Sequence, residues 1–190
     1  MYLTIFFLAV LFIFGAAVGS FISVFIYRLH SRKKGIFTGR SACPQCETQL
    51  KPLDLVPIVS YLVLRGNCRY CNKEISYMYP LLELFTGGIF ALLFLKFPFF
   101  DATLSFSGVM LGMYALFAFY AFILIFTFFF DLHYLKVADE IILPGILIGL
   151  IATIGPAGLT PHFIDAIIGG TLAAGFYGLQ ALVSRGEWVG

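Results

Sequence analysis

Residues 1–27 pass before the first charged side chain, Arg28. A helix of that length is longer than the roughly 30 Å hydrocarbon core of a bilayer, so this run reads as a membrane span. No basic stretch follows Met1, and the positive charge comes after the apolar run instead. The span therefore reads as a retained anchor, not a signal peptide. Four more segments follow: 81–95, interrupted only by Glu83; the uncharged, Phe-rich 107–130; 141–154; and 163–183. Segment 141–154 is short and spans only where the bilayer thins or neighbouring helices pack it. The last segment carries Asp165 near its start, and its Gly169, Gly170, Gly175 and Gly178 suit close helix approach. The chain is 61% apolar and 12% charged, against about 25% charged in soluble domains. A soluble globule is excluded. The expected fold is an all-α polytopic membrane protein with about five transmembrane helices.

Charge is unevenly placed. Arg28, Arg32, Lys33, Lys34, Arg40, Lys51, Arg65, Arg69 and Lys73 make nine of the twelve Lys and Arg, opposed in the same stretch only by Glu47, Asp54 and Glu74. The positive-inside bias makes this loop cytoplasmic and the N-terminus external. Alternation then puts 96–106 outside, 131–140 inside, 155–162 outside and the C-terminus inside. A net charge of only +2 gives no footprint for nucleic acid, and none is expected as a partner. The basic block has two readings: a topogenic signal alone, or a setting for the cysteines it surrounds.

All four cysteines lie in this loop as Cys43-Pro-Gln-Cys46 and Cys68-Arg-Tyr-Cys71, with 21 residues between the pairs. That spacing falls just outside the usual range for paired CxxC zinc sites. Two CxxC turns complete a tetrahedral, four-thiolate Zn²⁺ site with no open position, so the expected role is structural. Arg40, Arg65, Arg69 and Lys73 are near enough in sequence to offset the surplus thiolate charge. Disulfides are the rival reading, opposed by a reducing cytoplasm. A loop of about 50 residues also needs a staple to fold. The expected arrangement is a small zinc-ribbon-like domain between the first and second spans.

Acidic groups at a membrane are costly, which makes them candidates for chemistry. Asp131 closes the uncharged third segment, either as a functional acid or as an interfacial residue ending a helix. Asp139 and Glu140 precede the next apolar run, where carboxylates complement a helix dipole. Glu83 reads equally as a functional group or as the partner of a basic residue at the membrane edge. His30, His133 and His162 form no ligand pattern. A two-carboxylate protease site needs its acids about 3 Å apart. Asp131 and Asp139, eight residues apart, would be about 12 Å apart on one helix, so the residues by themselves offer one acid without a partner.

The order of these features resembles the prepilin leader peptidase/N-methyltransferase family. The likeness runs through Gly19-Ser20-Phe21-Ile22-Ser23-Val24-Phe25-Ile26-Tyr27-Arg28-Leu29, then Cys43-Pro44-Gln45-Cys46, the stretch 57–71, Ile75-Ser76 and Tyr79-Pro80-Leu81-Leu82-Glu83. Asp131, Asp139 and Pro144 resemble the family's first catalytic-aspartate motif. Ser23 stands where the family usually has Asn, and Ala138 where it generally has Pro. The resemblance implies a membrane aspartic endopeptidase of the bacterial inner membrane. It would remove the basic leader of type IV prepilins or pseudopilins at the cytoplasmic face, with Asp131 as one catalytic carboxylate. It also implies N-methylation with S-adenosylmethionine, to which Gly66 and Glu83 are assigned. The division is then 1–28 as the first span, 29–79 as the cysteine domain and 80–190 as a peptidase domain. The family's second aspartate follows a Gly-x-Gly motif that would begin at Gly190, so the 190 residues by themselves are expected to be inactive. Two other classes stay open: a non-catalytic zinc-bearing scaffold of a pilus or secretion assembly, and a transporter component using Glu83, Asp131 and Asp165.

Overall fold

The computed structural model describes residues 2–30, 40–101, 104–134, 139–152, 154–155, 158–159 and 161–183. The basic run at 32–34, the segment holding Ala138 and residues 185–190 lie outside the described residues. The chain divides into two compact units, Met1–Phe129 and Phe130–Gly190.

In the first unit, α1 (Tyr2–His30) and α3 (Met78–Lys96) form an antiparallel pair. The cysteine loop lies between them in sequence, with a one-turn 3-10 helix (Pro52–Leu55) and the short α2 (Val59–Val63). α4 (Gly108–Tyr134) follows. Among the described residues, α1, α3 and α4 are long and apolar enough to cross a membrane.

α1 and α3 touch backbone to backbone because three glycines line their seam. A Cβ on Gly15 would stand 2.7 Å from the Phe90 Cβ, one on Gly19 2.9 Å from the Glu83 Cα, and one on Gly87 2.8 Å from the Phe12 carbonyl oxygen. Gly15 and Gly19 form a Gly-x-x-x-Gly pair, the spacing that opens one helix face to a neighbour. Among the described residues, nothing lies within 4 Å of a Cβ on Gly169, Gly170 or Gly175.

α4 meets the same pair through aromatic side chains instead. Phe126 packs on Phe25 with ring centroids 5.1 Å apart, Phe117 stacks on Phe97 at 4.8 Å, and the Tyr114 hydroxyl donates to the Phe90 carbonyl at 3.2 Å. Phe90, Phe94, Phe99, Tyr114 and Ala118 form the buried cluster at the end of the bundle remote from the cysteines. From Phe7, which touches Phe94, to Gly19 beside Glu83 is about 18 Å of helix. Buried side chains continue toward the cysteine end as Ile22, Phe25 and Phe126, where they meet the buried carboxylate of Glu83 on the same helix pair.

The second unit contains α5 (Asp139–Ala152), a two-stranded antiparallel hairpin of β1 (Ile154–Gly155) and β2 (Gly158–Leu159), and α6 (Pro161–Val183). The hairpin is a small departure from an all-helical expectation. α5, at 14 residues, is about 21 Å long. It contains Pro144, which has no amide hydrogen to give to the turn before it.

Candidate functional site

The four cysteines are brought together by two copies of one backbone turn. In the first, the Cys43 amide donates to the Thr48 carbonyl and the Glu47 amide to the Cys43 carbonyl; in the second, the Cys68 amide donates to Lys73 and the Asn72 amide to Cys68. The corresponding residues Glu47 and Asn72 both take positive φ, 56° and 54°. Bridges Ala42–Gln49 and Asn67–Glu74 close the two hairpins. Each turn buries its first cysteine and leaves the second half-buried, and all four Sγ atoms lie within 4.8 Å of one another. A tetrahedral Zn²⁺ with 2.3 Å bonds needs sulfurs about 3.8 Å apart. Four free thiols in this arrangement fit one such ion and leave no ligand position for substrate. No histidine or carboxylate joins the cluster among the described residues.

The thiols are electrostatically unequal. Hydrogen bonds from the Thr48 side chain and backbone bring Cys46 down to about 6. Burial opposes ionisation of Cys68, but the Tyr70 and Cys71 amides outweigh it and lower its pKa. The Lys73 amide favours ionised Cys71, yet burial and hydrogen bonds shared with the other three thiols push it up to about 11. A divalent cation resolves this competition by replacing the shared protons.

The basic residues near the cluster have specific partners. Arg69 Nε donates to Asp54 at 2.7 Å, Lys73 Nζ to Gln45 at 3.3 Å and Arg40 to Gln49 at 3.5 Å. Asp54 is the hub: it also accepts from the Tyr70 hydroxyl at 2.8 Å and the Lys51 amide at 3.1 Å, and its side chain is only 3% exposed. Burial works against its charge, but these donors outweigh burial and hold its carboxyl below the usual range. The same bond to Asp54, with burial, raises the Tyr70 phenol. Arg69 and Tyr70 are the two residues inside the second CxxC, so that turn is clamped onto the 3-10 helix. Sequence reasoning missed this hub because its partners lie 15 and 16 residues away with no local signature.

Between the cysteine domain and the near ends of α1 and α3 lies a cavity of about 630 Å³. Its walls include Ser20, Ser23, Tyr27, Arg28, Asp54, Tyr61, Tyr70, Tyr79 and Glu83. Glu83 is buried, and among the described residues its carboxylate accepts the Ile58 amide at 2.7 Å and a hydrogen bond from Ser20. Ile58 sits at φ 63°, ψ −49°, with the Val59 amide donating back to the Pro57 carbonyl at 2.6 Å. This is a strained γ-turn for a β-branched residue. Glu83 fixes that turn and so ties the loop to two membrane helices.

Gly66 has a backbone reason to be glycine. Its φ is +73°, the Tyr61 hydroxyl lies 3.1 Å from where a Cβ would stand, and its amide and carbonyl bond to Tyr61 and Ile75. It is not among the described residues lining the cavity. Asp131 lies exposed in the last turn of α4, within the second unit, and Asp139 and Glu140 are the first residues of α5.

Three membrane-length helices and a loop of four clustered cysteines between the first two define a polytopic helical membrane protein with a four-cysteine knuckle domain able to hold a metal ion. Its sequence places it more closely. Residues 13–97 match the Bacterial Peptidase A24 N-terminal domain, and the chain is a member of the prepilin leader peptidase/N-methyltransferase family. It is 33% identical over 136 residues to the prepilin leader peptidase/N-methyltransferase of Bacillus subtilis, covering 72% of this chain and 50% of the relative. The Neisseria gonorrhoeae relative is 33% identical over 162 residues, covering 73% and 53%. The Myxococcus xanthus relative is 44% identical over 80 residues, covering 42% and 24%. The chain spans about half the length of the first two relatives. No solved structure matches it.

Proposed function

We propose that this chain supplies the metal-stapled and methyl-transferring part of a bacterial prepilin leader peptidase/N-methyltransferase, together with one peptidase carboxylate. The observation that carries this reading is the cavity with Glu83 at its membrane end, inside the segment that matches the peptidase domain family. A pocket of about 630 Å³ is within the 300–1,000 Å³ range of sites for drug-sized ligands. Its tyrosines offer stacking faces and its carboxylates offer partners for a cation, the chemistry a sulfonium nucleoside needs. S-adenosylmethionine, when bound, supplies an electrophilic methyl group. Glu83 holds a cationic group at the base of the cavity, and Ser20 and the Ile58 amide keep its carboxylate oriented. The cysteine domain, stapled by structural zinc, forms the opposite wall.

In this reading Asp131 is one of two carboxylates that activate water for cleavage after the leader. α5 and α6 are the fourth and fifth spans. The cysteine domain faces the cytoplasm, where a basic leader stays while the substrate's apolar helix lies in the bilayer. The test uses the full-length gene product with a prepilin and isotopically labelled S-adenosylmethionine. Asp131→Asn is expected to abolish cleavage and leave methylation of an already cleaved pilin. Glu83→Gln is expected to do the reverse. Retained cleavage in Asp131→Asn refutes the role of Asp131. Absence of both activities from the unsubstituted full-length protein favours a non-catalytic zinc-bearing scaffold.

A further inference from the structure

The short helix α2 turns its two hydroxyl side chains inward and its three aliphatic side chains outward. Ser60, Tyr61 and Leu64 line the cavity, whereas Val59, Leu62 and Val63 turn away from it and are 53%, 66% and 69% exposed. The preceding turn continues the pattern, with Leu53 73% and Val56 40% exposed. In water this arrangement is inverted: it exposes the side chains that burial would stabilise and shelters hydroxyls that water would solvate. It is the arrangement expected of a surface that meets hydrocarbon.

The position of α2 along the spans supports the same conclusion independently. Ile58, which opens α2, is held at 2.7 Å by the carboxylate of Glu83, and Glu83 packs beside Gly19 and Ser20 of α1. Ser20 precedes the first charged residue, Arg28, by eight residues, about 12 Å of helix. On α3 the outward residues flanking Glu83 are Leu81, Leu84 and Phe85, all about half exposed. The tether therefore sets α2 at a level where both neighbouring helices already present apolar side chains outward. Lys51 and Arg65 bracket the apolar stretch in sequence, and long cationic side chains flanking an apolar segment are able to reach lipid headgroups.

We propose that residues 52–64 form a flap that lies in the membrane interface. Leu53, Val56, Val59, Leu62 and Val63 enter the boundary between headgroups and acyl chains, a depth of about 5–10 Å for interfacial helices. The occupant of this face is lipid. The loop is then not wholly aqueous, and the flap is the wall separating the cavity from the bilayer. The reading depends on the chain being a membrane protein and not on the enzymatic activity proposed above.

The test is tryptophan depth measurement on the full chain in phosphatidylcholine vesicles. Trp188, the single tryptophan, is first replaced by Phe, and Leu62→Trp, Val63→Trp, Leu84→Trp and Gln49→Trp are made one at a time. The two flap positions are largely exposed, so the larger side chain disturbs no packing; unchanged thermal unfolding checks this, and each position stands in for the other if one variant fails. The expected result is blue-shifted emission at Leu62→Trp and Val63→Trp. Most of that emission is lost when the lipids carry bromine on their acyl chains, as for Leu84→Trp in the span, while Gln49→Trp in the first cysteine turn shows neither effect. Flap tryptophans that emit like Gln49→Trp overturn the proposal. Blue-shifted but unquenched emission also overturns it, because the face is then covered by protein. Equal quenching at Gln49→Trp removes the flap as a distinct element.

Discussion

Removing the Asp54 carboxylate should weaken zinc binding at the proposed four-thiolate site without touching a ligand. Three donors converge on it, and two of them, Arg69 and Tyr70, lie between Cys68 and Cys71. A hydrogen bond involving a charged group contributes about 1.5–3 kcal/mol and a neutral one about 1. The Arg69 side chain is 47% exposed, so solvent screening brings its share down to about 1 kcal/mol. Tyr70 is 37% exposed and its bond to the carboxylate is screened likewise, so the two bonds that hold the second CxxC turn sum to about 2 kcal/mol. At 1.4 kcal/mol per tenfold, Asp54→Ala should weaken zinc binding about 30-fold, within the 10–100-fold usual for groups supporting metal ligands. Asp54→Asn keeps an acceptor for Tyr70 but loses the charge, and should fall between Asp54→Ala and the parent. The assay is competition with a chromophoric chelator on the purified chain in detergent. A change of less than about threefold in Asp54→Ala would refute the clamp, since the expected loss rests on bonds that net about 1 kcal/mol each.

The sign of the pH dependence follows from the lowered pKa of Asp54. A carboxyl depressed in the folded state contributes fully above its unfolded pKa, near 3.9, and loses that contribution as pH falls through the lower folded value. Thiolate protonation releases zinc at higher pH than that. Acid release curves for the parent and Asp54→Asn should therefore run parallel, offset by a constant amount. Convergence of the two curves above about pH 5 would show that Asp54 titrates above the usual carboxylate range and would refute its lowered pKa. Gly19→Ala should lower thermal stability by about 1–3 kcal/mol, because its Cβ meets the Glu83 backbone at 2.9 Å. Gly88→Ala, with nothing within 4 Å, should be neutral or slightly stabilising in the same thermal scan. Gly66→Ala should cost about 1–2 kcal/mol through its left-handed backbone. Adding Tyr61→Phe, which removes the crowding hydroxyl, should restore only part of that loss in denaturant unfolding. In the zinc-free chain, alkylation near neutral pH read by mass spectrometry should modify Cys46 first and Cys71 last, because the thiolate forms above the pKa and these lie at about 6 and about 11.

What the sequence determined by itself was whatever depends on composition and short spacing. Charge-free runs define spans because a bilayer admits little else, and two CxxC pairs define a four-thiolate cluster because each pair is local. The cluster forms despite its 21-residue separation because the intervening turn and α2 fold back between the knuckles. Tertiary structure decided everything that depends on distant partners. It put a close helix contact at Gly15, Gly19 and Gly87, because small residues matter only where a second backbone arrives. It gave Glu83 an amide and a hydroxyl as partners among the described residues, and made Asp54 the hub of the second knuckle. It also turned α2 inside out, which a five-residue helix cannot reveal by periodicity, since only the position of the cavity says which of its faces is inward.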